Sequence, residues 1–224
     1  MIALLAMTLA TMLAAPAHAS LVLSQVILDL KPGAPVAQDI EVWNNGTERS
    51  YVVAEPEEVV SPGLPGEHRT ANPDPAVSGL LVTPQRMILE PGQRRLVRMA
   101  AVAPRAARDR IYRVAIKPVA GDVSATASAL KLLVGYDVLV IYRPDKPVSD
   151  VTASRGADGI VFENIGNTNV EMFEGRQCDA AGKICKDLPA NRLYPGMRWT
   201  VPTAPGATVS YRMTTAGETV SKTF

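Results

Sequence analysis

The chain has 224 residues, with 23 Lys and Arg against 22 Asp and Glu, for a formal net charge of +1. Nothing in that balance offers a basic stripe to a nucleic acid or an acidic tail to solvent, so no nucleic-acid partner is expected. Aromatic residues are scarce at 5%, and the apolar content is carried by short runs rather than one long one.

Ile2–Pro16 is apolar and is followed by Ala17-His18-Ala19, the pattern of a secretory signal with its cleavage site. Residues 1–19 are therefore expected to be removed. A membrane anchor is the competing reading, but the run is short for a span. No later segment has the length and apolarity to cross a bilayer, so no membrane insertion is expected after removal. The remainder suffices for one large or two small all-β domains.

Short alternating runs then follow one another, with turn residues between them and no helical stripe. Leu21–Leu30 reads as a first strand, turned by Lys31-Pro32-Gly33. Val36–Val42 alternates, Asn44-Asn45-Gly46 reads as a hairpin turn, and Tyr51–Ala54 returns. Pro56–Ser78 is proline-rich and irregular and reads as a surface loop or a partly disordered one. Leu80–Thr83 and Arg86–Leu89 are short strands split by Pro84, and Arg94–Val102 and Ile111–Val119 follow. Ser128–Tyr142 is the most apolar run of the mature chain. Together these make roughly seven strands, the count of an immunoglobulin-like sandwich.

Pro144-Asp145-Lys146-Pro147 is a stiff polar linker and marks a boundary, with domains expected over 20–143 and 148–224. Beyond it, Ile160–Phe173 echoes Ile40–Val53: an alternating strand, an Asn/Gly turn with Thr, and a return strand. Cys178 and Cys185 are the only cysteines, and in an exported chain they read as one small disulfide loop.

Catalytic pairings are absent from the pattern. His68 sits in the proline-rich stretch with no neighbouring cysteine and reads as a solvated loop residue, no glycine-rich loop opens a helix, and no metal-ligand spacing occurs. Glu55, Glu57 and Glu58 read as a solvated cluster. No enzyme, cofactor or metal site is expected. What stands out is Ser128–Tyr142. Fifteen extended residues would span roughly 50 Å, and its even positions, Leu130, Leu132, Val134, Tyr136, Val138 and Val140, are apolar. A core strand accounts for most of this. It leaves an apolar end that outruns its neighbours, and such an edge aggregates unless something covers it.

Three stretches carry a resemblance. Gly79–Met99 (GLLVTPQRMILEPGQRRLVRM), Arg108–Val119 (RDRIYRVAIKPV) and Ala129–Pro144 (ALKLLVGYDVLVIYRP) resemble the later strands of the first domain in periplasmic chaperones of pilus assembly. Asn164–Val170 is similar to a motif early in their second domain, and the Cys178–Cys185 spacing resembles their alternate and archaic branches. The resemblance spans nearly the whole mature chain. It implies an all-β protein of two immunoglobulin-like domains in an L or boomerang arrangement, located in the periplasm. It implies donor-strand complementation, in which the seventh strand completes a pilus subunit that is then delivered to an outer-membrane usher. By position the inserted side chains are Leu130, Leu132 and Val134, with Tyr136 as a fourth. The Arg and Lys that grip the subunit's terminal carboxylate in this family fall on Gln25 and Leu139, which carry no charge. Gln25, Arg113 and Lys117 are the candidate cleft residues, with a solvated surface role as the alternative for the two cations. A structural pilus subunit or adhesin built of the same domains is the second functional reading. A degraded hydrolase scaffold is the third, and it lacks catalytic pairs.

Overall fold

A computed structural model describes residues 21–119 and 133–224. The expected signal segment, and Leu130 and Leu132, lie outside the described residues.

In chain order the first ten strands are β1 (Leu21–Leu23), β2 (Ile27–Leu30), β3 (Ala37–Asn44), β4 (Ser50–Val60), β5 (His68–Thr70), β6 (Leu80–Thr83), β7 (Arg86–Leu89), β8 (Arg94–Ala101), β9 (Arg110–Val119) and β10 (Tyr136–Tyr142). One short helix, α1 (Pro75–Ser78), lies between β5 and β6. They form two facing sheets, one ordered β1-β3-β8-β6 and the other β2-β10-β9-β4-β5, with β7 also on β4. Alternation along each strand sends Leu28, Ile40, Leu89, Val97, Val114 and Val140 into the space between the sheets, where each is fully buried.

A second sandwich follows: β11 (Val151–Gly156), β12 (Gly159–Asn164), β13 (Val170–Cys178), β14 (Cys185–Leu188), β15 (Asn191–Leu193), β16 (Arg198–Val201), β17 (Thr208–Thr215) and β18 (Glu218–Thr223). Its sheets are β11-β12-β16 and β14-β13-β17-β18, with β15 on β13. Its core centres on Phe162, whose ring lies 5.8 Å from Trp199, 5.4 Å from Tyr211 and 4.9 Å from Phe224. The Cys178–Cys185 bond is formed and ties β13 to β14.

Three local readings need correction. The expected first strand is two, because the chain bends at Ser24 and changes sheets between β1 and β2. The expected loop over Pro56–Ser78 is largely ordered, since β4 runs on to Val60 and β5 and α1 follow. Pro56 is tolerated inside β4 because β7 pairs with Ser50–Val53 and β5 with Glu58–Val60, so the proline's missing N–H faces the gap between them. Third, Asn44-Asn45-Gly46 is not a hairpin: β3 and β4 belong to opposite sheets, and the turn arches between them.

The echo between the two halves is real at the level of bonds. The buried Asn44 amide donates to Glu48 O and Leu89 O and accepts from Gly46 N at 2.8–3.0 Å. The buried Asn164 amide donates to Thr168 O and Leu193 O and accepts from Gly166 N, all at 2.9 Å. In each sandwich one asparagine satisfies the carbonyls left over where the chain crosses sheets.

A polar network joins the sandwiches. Arg143, 2% exposed, donates to both oxygens of Asp29 and to Thr168 Oγ1 at 2.5–3.1 Å. Thr168 in turn donates to Asp109 Oδ1 at 2.8 Å, and Asn169 donates to Asp109 Oδ2 through both its backbone and its side chain at 2.6 Å. Burial pushes the Asp109 carboxyl above its ordinary value, against these hydrogen bonds and the Arg143 charge, which pull it down.

Candidate functional site

β10 pairs along its whole length with β9, from Tyr136 opposite Ile116 to Tyr142 opposite Arg110. Its other edge is covered only in part, because β2 pairs with Leu139–Tyr142 and goes no further. The last rung on that side is Leu139 N–H to Val26 O, at 2.9 Å. Beyond it the bend at Ser24 carries the chain into the other sheet, and the outer edge of 133–138 has no strand beside it among the described residues. N–H and C=O groups alternate sides along a strand. Leu139 faces β2, so Asp137 and Gly135 present their backbone groups to the vacant side, while Tyr136 and Val138 face β9.

The side chains divide along the same strand. Val138, Val140 and Tyr142 belong to the first sandwich's own core. Tyr136 is half-buried against that core and donates its hydroxyl to Leu21 O at 2.8 Å. Leu133 and Val134 are 39% and 45% exposed. Apolar character therefore continues past the point where the domain can bury it. Gly135 lets the strand lie close to β9, since a Cβ there would come within 2.7 Å of the Lys117 Cβ.

The outer face of this sheet is layered. At the end next to the second sandwich, Leu139 and Ile141 pack with Val59, Ile111 and Tyr194. Burial raises the Tyr194 hydroxyl above its ordinary value. Next comes a layer of ions. Arg69 holds the Asp137 carboxylate by two hydrogen bonds at 2.7 and 3.1 Å and lies 3.6 Å from Glu57, while Arg113 lies 3.8 Å from Asp137. Lys117 pairs with Glu55 at 2.8 Å. At the far tip, Tyr51, Val53, Ile88 and Val119 floor a groove of about 520 Å³ flanked by Arg86 and Arg95. Among the described residues, neither of those guanidinium groups meets an acid.

The candidate residues are thus spread out. Val134 and Tyr136 lie on or just before β10, and Arg113 is beside its open edge. Gln25 is exposed and donates to Asp39 O at 3.2 Å, and Lys117 is engaged with Glu55. Leu139 is 4% exposed inside an apolar cluster. Arg69 and Tyr194 were not anticipated: Arg69 sits on a three-residue strand inside the expected loop, and Tyr194 reaches the site from the other sandwich. Among the described residues there is no group of three His, Cys, Asp or Glu side chains placed to hold a metal, and no helix long and apolar enough to cross a membrane.

No family model matches the chain. Two curated fimbrial proteins of Escherichia coli are similar in sequence. One, a CS1 fimbrial subunit, is 24% identical over 191 residues, covering 80% of this chain and 79% of that protein. The other, a CFA/I fimbrial subunit, is 26% identical over 201 residues, covering 84% and 82%. Among solved structures, the class 5 fimbriae chaperone CfaA matches with a TM-score of 0.68 at 21% identity, over 91% of this chain and 98% of its own. A chain of the complex of the chaperone SafB with the SafA pilin of Salmonella enterica matches with a TM-score of 0.66 at 15% identity, over 94% and 99%. A chain of the CsuC–CsuE complex from the archaic chaperone-usher Csu pili of Acinetobacter baumannii matches at 0.63 and 10% identity, over 92% and 98%. The fold of this chain is the two-sandwich fold of fimbrial chaperones.

Proposed function

We propose that the chain is a periplasmic, non-enzymatic chaperone that binds pilus subunits by donor-strand complementation and delivers them to an outer-membrane usher. The observation that carries this reading is the open outer edge of β10 below the Val26–Leu139 rung, bordered by exposed Leu133 and Val134. An edge with unspent backbone groups and apolar side chains is what an extended partner segment needs: main-chain bonds give affinity, and alternate side chains give specificity. Leu130, Leu132 and Val134 are the side chains we assign to the subunit's groove. Tyr136 marks where the strand turns its even face to its own core. Residues 1–19 are taken as the export signal, and 20–143 and 148–224 as the domains joined by the linker 144–147. The formed disulfide suits an oxidising compartment.

Delivery needs a surface that a client on β10 leaves free. We assign that role to the tip groove, where an apolar floor between Arg86 and Arg95 fits an apolar segment carrying acids.

The curated relatives bear the names of fimbrial subunits, so a structural subunit is the second reading. A protein of that kind lacks a final strand of its own, whereas here β10 is present and paired to β9. Leu132→Asp and Val134→Asp decide between them. Each should leave the purified chain folded by circular dichroism and abolish its co-purification with a co-expressed pilus subunit. Retained co-purification would refute the donor strand. Self-polymerisation of the wild-type chain into fibres would favour the structural subunit.

A further inference from the structure

The open edge of β10 is not bare. The Asp137 carbonyl, which faces the vacant side, accepts a hydrogen bond from Arg113 Nη1 at 3.3 Å. Arg113 belongs to β9, opposite Leu139, so its side chain must cross the face of β10 to get there. It is aimed by the Asp137 carboxylate, 3.8 Å from its Nε, and that carboxylate is fixed from β5 by the two bonds of Arg69. Four strands contribute one charged side chain each: Arg69, Glu57, Arg113 and Asp137.

We propose that this cluster is an edge guard, in which Arg113 covers the first free rung of β10 in the unoccupied protein and swings aside when another strand pairs there. An uncovered edge is a template for association, and natural sheets blunt such edges with charged side chains. Most of those devices are permanent. This one is built to yield: the four side chains are 31–43% exposed, where water and salt weaken ion pairs. The cap spans a single rung, so it blocks nucleation of a strand pair without filling the groove for side chains. The guard concerns the edge itself, and only its use by a pilus subunit rests on the function proposed above.

The test uses the mature chain without a client first. Arg113→Met keeps the length of the side chain and removes the donor; Asp137→Asn removes the charge that aims it. Sedimentation velocity at low salt should show self-association strengthened about fivefold in both, the worth of one exposed charged contact. Raising salt to about 0.5 M should bring the wild type towards the variants and change the variants little. With a net charge of +1 there is little overall repulsion for salt to screen instead. The association rate with a purified pilus subunit should rise about fivefold in Arg113→Met. Arg113→Lys, which keeps the charge and loses the fork, should fall between. Unchanged self-association in both variants would overturn the guard. So would weaker or slower client binding by Arg113→Met, which would make Arg113 a contact for the client. Should Leu132→Asp still bind the client, the donor-strand reading fails, and the client-free measurement still decides the guard.

Discussion

Replacing Arg143 by Met tests what holds the two sandwiches together. The side chain is 3% exposed and its partner Asp29 is 23% exposed. The substitution removes three hydrogen bonds, two to Asp29 and one to Thr168. It leaves an acid without its cation in a largely buried place. Breaking a buried pair from one side costs about 3–5 kcal/mol, and the partial exposure of Asp29 puts this case near 3. For a chain of this size that is a loss of about 6–12 °C in melting temperature. The two tryptophans offer an assay, since Trp43 lies in β3 of the first sandwich and Trp199 in β16 of the second. Single-tryptophan versions should unfold at one shared urea midpoint with Arg143 in place. In Arg143→Met the two midpoints should separate. Replacing both partners, as Arg143→Met with Asp29→Leu, should recover much of the loss, because the unpaired acid is the main cost. A loss under about 1 kcal/mol with coincident midpoints would refute the assignment of Arg143 as the lock.

Two further outcomes follow from the same contacts. Replacing Cys178 and Cys185 by Ser opens a closed loop of eight residues, from position 178 to 185, and should cost about 2.5 kcal/mol; in the Arg143→Met background, where the sandwiches unfold separately, Trp199 should report the loss and Trp43 should not, and equal shifts at both there would contradict two separate cores. The Asp109 carboxyl should titrate above 3.8 by carbon NMR. A folded value above the unfolded one means that its contribution to stability is full below pH 3.8 and is lost as pH rises through the folded value, so the fold is less stable with Asp109 ionised than with it protonated. A midpoint at or below 3.8 would contradict the burial argument.

Much of the fold is legible in the sequence because strand alternation and turn chemistry are local. β3, β8 and β9 lie where alternation places them to within a residue or two. What was not legible depends on distant partners. The same Asn-Asn-Gly turn serves a hairpin or an arch, and only the burial of the Asn44 amide against Leu89 O, 45 residues on, makes it an arch. Pro56 argues against a strand until the gap between β5 and β7 supplies a place for it. The absence of charge at Gln25 and Leu139 is plain in the sequence, but its counterpart is not: Leu139 belongs to an apolar cluster against which Tyr194 packs, and Arg69 reaches Asp137 across 68 residues. The apolar length of Ser128–Tyr142 does point to the site, and the structure adds where the strand's own domain stops using it.

Amide hydrogen exchange along β10, read residue by residue with and without a saturating pilus subunit, meets the central claim most directly. Gly135 and Asp137, whose N–H groups face the vacant side, should gain protection on binding, while Tyr136 and Val138, already facing β9, should change little. A saturated complex in which Gly135 and Asp137 exchange as fast as in the free chain would show that the client does not pair with this edge.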